Sequence, residues 1–405
     1  GLVMTGIVIN LVIGWYYAPE SLGVFNLLYA VFVIASQFSV MGLHYSSLKH
    51  VAEQADGGQI APIGFSAILC GLLTSFITLI VLFVFREPMG RAFDSEAVAL
   101  GMPYILPGLI FLTFNKIMLW ILNGQKRMVA LAMGNMTRSL LIILSLGLLV
   151  AFRAPDYILP AIFTLADGIL AVILGSFFIR DQGFSLAFFN RGWIVRHFIF
   201  GWKALWGGVI IETNFRVDVI MLGLLTNEKM VGLYSFAAMI GEGLYHLLFV
   251  LRTMINPALV KMLQAGDHAA IRMTLRKAMM YLYPLMVLVF AGAAVAYIPI
   301  LEFVGLGQYA AGYWSLLILI AGMGMAAPFI PFHEIFMQAG QSGRYSQFMG
   351  FVVLTNVGLN ALFIPVFGMM GAALATAMAF VLSILYFVIL CKRYLGFNIR
   401  KAAAA

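Results

Sequence analysis

Lys116, Arg138, Asp167, Glu212, Arg216, Asp218, Glu242, His246, Arg252, His333 and Glu334 stand inside long apolar runs of this 405-residue chain. An ionisable side chain at the centre of a membrane-spanning helix costs about 2.5–3.5 kcal/mol on insertion scales, so each needs a partner or a polar cavity. Their types point to anion binding and to proton or ion movement. Arginine offers a planar forked donor set suited to phosphate, and lysine a point charge. The densest group is Glu212-Thr213-Asn214-Phe215-Arg216-Val217-Asp218. On a helix Glu212 and Arg216 share one face, and Asn214 and Asp218 share another. Glu212 and Arg216 either neutralise each other or line a path. Asp218, near the end of its run, either serves an ion or bridges to a neighbour. Further on, Glu242, Tyr245, His246, Phe249 and Arg252 fall within an arc of about 120°. Such a stripe suits a sugar–phosphate path, with rings for pyranose faces and Arg252 for phosphate. Arg216, Arg252, Lys116, Arg138 and Tyr245 are the candidates for substrate binding. Glu212, Glu242, His246, Asp218 and Asp167 are the candidates for ion coupling. Lys116 and Arg138 lie within two to three turns of a span end, close enough to snorkel outward.

The elements that carry these residues are membrane spans. The chain is 63% hydrophobic and 10% charged, with mean hydropathy +1.01; a soluble domain carries about a quarter charged residues. Apolar runs predict about twelve spans near 1–17, 22–48, 60–85, 97–122, 130–152, 157–179, 203–226, 230–258, 278–300, 312–337, 346–367 and 369–391. Backbone groups in lipid need partners within their own segment, and these runs do not alternate as barrel strands do, so the spans are helices. The fold class is an all-α polytopic membrane protein. The first span is short and the chain begins without Met, which predicts a shortened N-terminus. The final AAAA carries no readable chemistry, and no cleavable signal peptide is evident.

Most of the 24 Lys and Arg fall in loops after even-numbered spans or in the C-terminal tail, among them Lys126, Arg127, Arg180, Arg191, Arg196, Lys261, Arg272, Arg276, Lys277, Lys392 and Arg393. Arg86, Arg91, Arg153 and Lys229 lie in the other loops. This bias places both termini in the cytoplasm and accounts for the net charge of +8 without nucleic acid. Gly23-Val24-Phe25 and Gly232-Leu233-Tyr234 follow the first and seventh spans at an offset of 209 residues; Gly124-Gln125 and Gly340-Gln341 are offset by 216. The pattern predicts a parallel repeat of two six-helix lobes. The N-terminal lobe covers 1–180, a basic amphipathic linker on the cytoplasmic surface 181–202, the C-terminal lobe 203–393 and a cytoplasmic tail 394–405. Pro103 and Pro107 in the fourth span, and Pro328 and Pro331 in the tenth, predict bends.

No HExxH, GxSxG, Walker, CxxC or GxGxxG pattern occurs, so neither an enzyme nor a nucleotide-driven pump is expected, and no cofactor is implied. Asn135-Met136-Thr137 matches a glycosylation sequon but lies inside a span. Cys70 and Cys391 read as packed free thiols.

Several runs resemble the polysaccharide and lipid-linked-oligosaccharide flippases of the multidrug/oligosaccharidyl-lipid/polysaccharide exporter superfamily. These are Phe200-Gly201, Asp218-Val219-Ile220-Met221-Leu222-Gly223, Val231-Gly232-Leu233-Tyr234-Ser235, Ile255-Asn256-Pro257, and Leu362–Phe367 with Gly368-Met369-Met370-Gly371-Ala372-Ala373. The small residues at 371–376 permit close helix approach. The resemblance implies transfer of a polyprenyl-pyrophosphate-linked oligosaccharide, a repeat unit of a polysaccharide such as O-antigen, lipopolysaccharide or exopolysaccharide, across a bacterial cytoplasmic (inner) membrane. The head group would cross a cationic cavity by alternating access while the lipid stays in the bilayer. Membrane lipids, and polysaccharide polymerase or synthase subunits, are the implied partners. The alternatives are a cation-coupled multidrug exporter of the same superfamily and a membrane subunit of a polysaccharide synthesis complex. The first span lacks the acid that many drug exporters of the superfamily carry, and the arginines inside the spans also favour the flippase.

Overall fold

The computed structural model describes residues 2–54, 60–183 and 185–395. Phe184 of the expected linker, and 396–405 of the expected tail, lie outside the described residues. The rest is helical, with no strand among the described residues, and it divides into two compact units, Gly1–Arg216 and Val217–Ala405.

Unit 1 begins with α1 (Leu2–Tyr16), α2 (Pro19–Val40), α3 (Leu43–Ala52), α4 (Ile60–Val84), the short α5 (Arg86–Ala92), α6 (Glu96–Ile105) and α7 (Gly108–Gly124). It continues with α8 (Met128–Ala151), α9 (Ala161–Gln182) and most of α10 (Arg191–Leu225). Pro19 opens α2, where its missing N–H costs no hydrogen bond. At the other end Met41 and Gly42 both adopt left-handed backbone, with φ 45° and 66°. That pair turns the chain from α2 into α3. A Cβ at Gly42 would stand 2.7 Å from the Ala204 Cβ, so glycine is also required for α10 to approach. Ser95 caps α6 by accepting from the Val98 N–H. The expected bend at Pro103 and Pro107 is present: α6 and α7 meet at 45°.

The stretch 191–202, expected as part of a surface linker, forms the first turns of α10, a single helix of 35 residues. At 1.5 Å per residue such a helix is about 52 Å long, well beyond a ~30 Å hydrocarbon core. Its start docks on unit 1. Trp193 and Leu205 join the buried cluster of Leu43, Ile63, Ala67, Ile117 and Ile121, and His197 is fully buried. His197 Nε2 lies 3.1 Å from the Ile63 carbonyl, which can only accept, so Nε2 carries the proton. Nδ1 then accepts from the Ser46 hydroxyl at 2.8 Å. An amphipathic reading gave this segment a buried face; it did not show that a core histidine anchors that face. The division between the units falls at Arg216/Val217, inside α10, rather than at a linker boundary near 203.

Unit 2 takes the end of α10, then α11 (Glu228–Gln264), α12 (His268–Lys277), α13 (Tyr283–Phe303), α14 (Tyr313–Ala326), α15 (Ile335–Gln338), α16 (Ser342–Phe367) and α17 (Met369–Tyr394). Asn227 caps α11 through the Met230 N–H. The tenth span breaks where the prolines predict: α14 stops at Ala326, a 3₁₀ turn covers Ile330–Phe332, and His333 and Glu334 sit in the gap before α15. The small residues of α17 do bring backbones together. A Cβ at Gly322 of α14 would meet Ala377 at 2.4–2.5 Å, and one at Gly371 would meet the Phe363 carbonyl oxygen at 2.2 Å.

Among the described residues nine helices are long and apolar enough to cross a membrane, ten if the bent α6–α7 pair is one span. The other two expected spans are α1, which is short, and α10, which carries Lys203, Glu212, Arg216 and Asp218 along its length. The fold is thus a multi-pass bundle of about twelve spans.

Candidate functional site

Unit 1 gathers its charged residues. α8 presents Arg138 and α9 presents Asp167. Arg138 does not snorkel; it grips Asp167 with both arms, Nε to Oδ1 at 2.7 Å and Nη2 to Oδ2 at 2.8 Å. Asp167 is wholly buried. Asn115 of α7 completes the clasp by donating to the Asp167 carbonyl at 2.8 Å and to Oδ1 at 3.1 Å. A bidentate, extra-bonded pair is the arrangement in which Coulomb attraction offsets desolvation. The geometry makes Asp167 the holder of Arg138.

The neighbour of Asn115, Lys116, lies within electrostatic range of Glu212, Arg138 and Asp167. Among the described residues it makes no ion pair within 4 Å and no hydrogen bond. Glu212 and Arg216 lie four residues apart on α10. Glu212 faces Lys116 and Tyr45, while the Arg216 guanidinium lies over the Tyr29 ring at 5.1 Å from its centroid. Tyr29 in turn stacks on Phe163 at 4.9 Å. Unit 1 therefore places Lys116 within electrostatic range of Arg138, Asp167 and Glu212, and sets Arg138 and Arg216 near the same Tyr29.

Unit 2 holds two separate polar groups. In the first, Arg252 of α11 lies 3.5 Å from Glu334 and 4.3 Å over Phe249. Asn256 donates to Glu334 at 2.6 Å. The proline break between α14 and α15 is what turns Glu334 toward α11. Tyr245 stacks on Phe380 at 6.1 Å and feels the charges of Arg252 and Glu334. His246 is exposed and touches Phe249 edge-on at 6.1 Å. Glu242 is half-buried, in electrostatic range of Tyr234. The predicted stripe thus divides between the Arg252–Glu334 group and the outward-facing His246.

The second group surrounds Asp218. Its Oδ1 accepts from Asn356 at 3.0 Å and Asn360 at 2.9 Å. Oδ2 accepts from Tyr234 at 2.8 Å and from the Thr376 hydroxyl. Four donors from α11, α16 and α17 converge on one carboxylate, and among the described residues no Lys, Arg or His pairs with it. The Oδ1 of Asn360 is buried without a partner. Asn115, Asn356, Asn360, Thr376, Tyr234 and Tyr29 escaped the reading of the sequence, which followed charges. The available signal was uncharged: Asn356 and Asn360 put two amides one turn apart on an otherwise apolar span.

About twelve apolar helices, with charged side chains clasped between them, define a polytopic membrane protein. The chain spans 96% of its length against a lipid II flippase MurJ in an inward closed conformation (TM-score 0.78, 16% identity, 85% of that chain covered). It matches a multidrug resistance MATE family transporter of the MOP superfamily over 99% of its length (TM-score 0.80, 14% identity, 95% of that chain covered). A MOP superfamily transporter from Pyrococcus furiosus, described as having a binding pocket of reverse polarity, aligns with TM-score 0.62 at 14% identity over 99% of this chain and 92% of that one. None of the curated proteins matches the chain. Residues 3–263 match the polysaccharide biosynthesis protein family, and the chain belongs to that family. The fold is shared with those solved transporter and flippase structures.

Proposed function

We propose that the protein moves a polyprenyl-pyrophosphate-linked oligosaccharide, the repeat unit of a polysaccharide, from the cytoplasmic to the outer leaflet of a bacterial cytoplasmic membrane. The observation that carries this reading is Lys116, held beside the Arg138–Asp167 clasp and, among the described residues, making no ion pair within 4 Å. The clasp positions; Lys116 and Arg216 attract. A pyrophosphate presented to this cluster meets a point charge and a guanidinium backed by the Tyr29 ring. Neutralising the pyrophosphate charge lowers the barrier to its passage while the prenyl chain remains in lipid. The binding cluster is exposed alternately to one leaflet and then to the other.

Reorientation alone cannot accumulate product, so direction must come from a coupled ion or from consumption of the product. Asp218 supports coupling. Its carboxylate is held by the Asn356 and Asn360 amide N–H groups and the Thr376 and Tyr234 hydroxyls, with the unpartnered Asn360 Oδ1 on one of the amides that hold it. A proton or a small monovalent cation there would neutralise an acid that, among the described residues, no basic residue matches. In the cells that make the protein, its loss is expected to leave lipid-linked glycan on the cytoplasmic face, and Lys116→Ala to fail to restore surface polysaccharide at normal protein level. Full restoration by Lys116→Ala would remove the cluster from the path.

A further inference from the structure

Beside Lys116, unit 1 holds three aromatic side chains that the proposed path does not use. His44 and Tyr45 open α3, and Trp120 lies one turn beyond Lys116 on α7, the helix that α3 packs against. The His44 and Tyr45 rings are 4.0 Å apart. Trp120 meets both edge-on, at 4.9 Å and an interplanar angle of 79° in each case. Glu212 lies in electrostatic range of Tyr45 and of Lys116. Among the described residues the Tyr45 hydroxyl, the Trp120 indole N–H and the Lys116 ammonium make no hydrogen bond. His44 is 5% exposed, and its Nδ1 is buried without a partner. A buried polar atom left unsatisfied costs about 1–3 kcal/mol, which falls on His44 Nδ1; Tyr45, 43% exposed, offers its ring beside it, and a hydroxylated ligand would meet both.

We propose that His44, Tyr45, Trp120 and Glu212, beside Lys116, form a binding subsite for a neutral pyranose ring of the head group, a proposal that rests on the flippase reading. The ring's C–H groups pack on the π face of Tyr45 or Trp120, and its hydroxyls meet His44 Nδ1, the indole N–H and the Glu212 carboxylate. Lys116 stays with the pyrophosphate, and the acid Glu212 favours a neutral hydroxylated ring over an anionic group. A belt of interfacial tyrosine and tryptophan explains the rings but not the buried, unpartnered His44 Nδ1 or the acid beside them. The subsite then sets which sugar is accepted, while the cationic cluster accepts any pyrophosphate.

Two substrates separate these roles: the lipid-linked oligosaccharide and the same polyprenyl pyrophosphate without sugar, each assayed in proteoliposomes. Tyr45→Ala and Trp120→Ala are each expected to slow the oligosaccharide substrate about tenfold, equivalent to ~1.4 kcal/mol, and to leave the sugar-free lipid unchanged. Tyr45→Phe, a milder change, should retain most of the rate. Equal loss on both substrates, or no loss on either, overturns the subsite. Binding is read independently by titrating oligosaccharide released from the lipid-linked pool by mild acid, following the emission that disappears in Trp120→Phe. A saturable change without transport of either lipid by the wild type would sink the flippase reading and leave the subsite standing. No saturable Trp120-dependent change overturns the subsite.

Discussion

Arg138 and Asp167 show how one buried pair organises a site. Removing only the acid leaves a guanidinium in a low-dielectric interior, and Asp167→Leu is expected to destabilise unit 1 by about 3–5 kcal/mol. Adding Arg138→Met to it should recover most of that loss. Thermal unfolding in detergent reads both, and a double variant no better than the single would show that the pair is not the reason. His197 makes a second prediction. Burial, aided by the nearby His50 and opposed by the Ile63 carbonyl, pushes its imidazole from the ordinary 6.5 down to about 4. The folded chain holds the neutral form, so this stabilisation is complete above about 6.5 and is lost as pH falls through about 4. His197→Gln keeps a donor for Ile63 and removes the titration. Its melting temperature should fall less than that of the wild type between pH 7 and pH 4, and parallel curves would contradict the assignment. The charges themselves were legible in the sequence, because ionisable residues stand out against an apolar background. Their partners were not. Spacing on α10 left open a Glu212–Arg216 pair or a shared path; Lys116 and Tyr45 lie in electrostatic range of Glu212 and Tyr29 lies under Arg216, and no local rule reaches across more than 90 residues of chain.

At the scale of elements, proline and glycine did what their backbones dictate. The breaks at Pro103–Pro107 and Pro328–Pro331 were readable because proline lacks the N–H and crowds the preceding turn. What the second break achieves, turning Glu334 toward Arg252 on α11, was not readable, since it depends on how α11 packs. The run of small residues after Gly368 announced close packing without naming its partners, which are Gly322's helix α14 and the end of α16. Gly322→Val would drive a branched side chain into Ala377 and is expected to cost about 1–3 kcal/mol through overpacking. Lower thermal stability with helicity retained in circular dichroism would agree; unchanged stability would mean α14 and α17 can separate at no cost. The start of α10 teaches the opposite lesson. A stretch that reads as a linker proved to be anchored through Trp193, His197 and Leu205, since a mixture of Arg and aromatics fits a docked helix as well as a surface one.

For the whole molecule, the account rests on two chemistries kept in different units: anion attraction around Lys116 in unit 1, and a carboxylate without a basic partner, Asp218, in unit 2. If Asp218 carries the coupling ion, Asp218→Asn should preserve substrate binding but abolish the response of transport to a proton or sodium gradient. A gradient response of wild-type size in that variant would move coupling elsewhere. The central claim is that the protein itself turns over a lipid-linked glycan, and it is tested most directly with purified protein in liposomes. Polyprenyl-pyrophosphate-linked oligosaccharide is placed in one leaflet, and its exposure in the other is followed with a glycan-specific probe. The account predicts protein-dependent reorientation, reduced at least about tenfold by Lys116→Ala, a loss of ~1.4 kcal/mol or more. No reorientation with or without an imposed ion gradient, or an undiminished rate in Lys116→Ala, would contradict it.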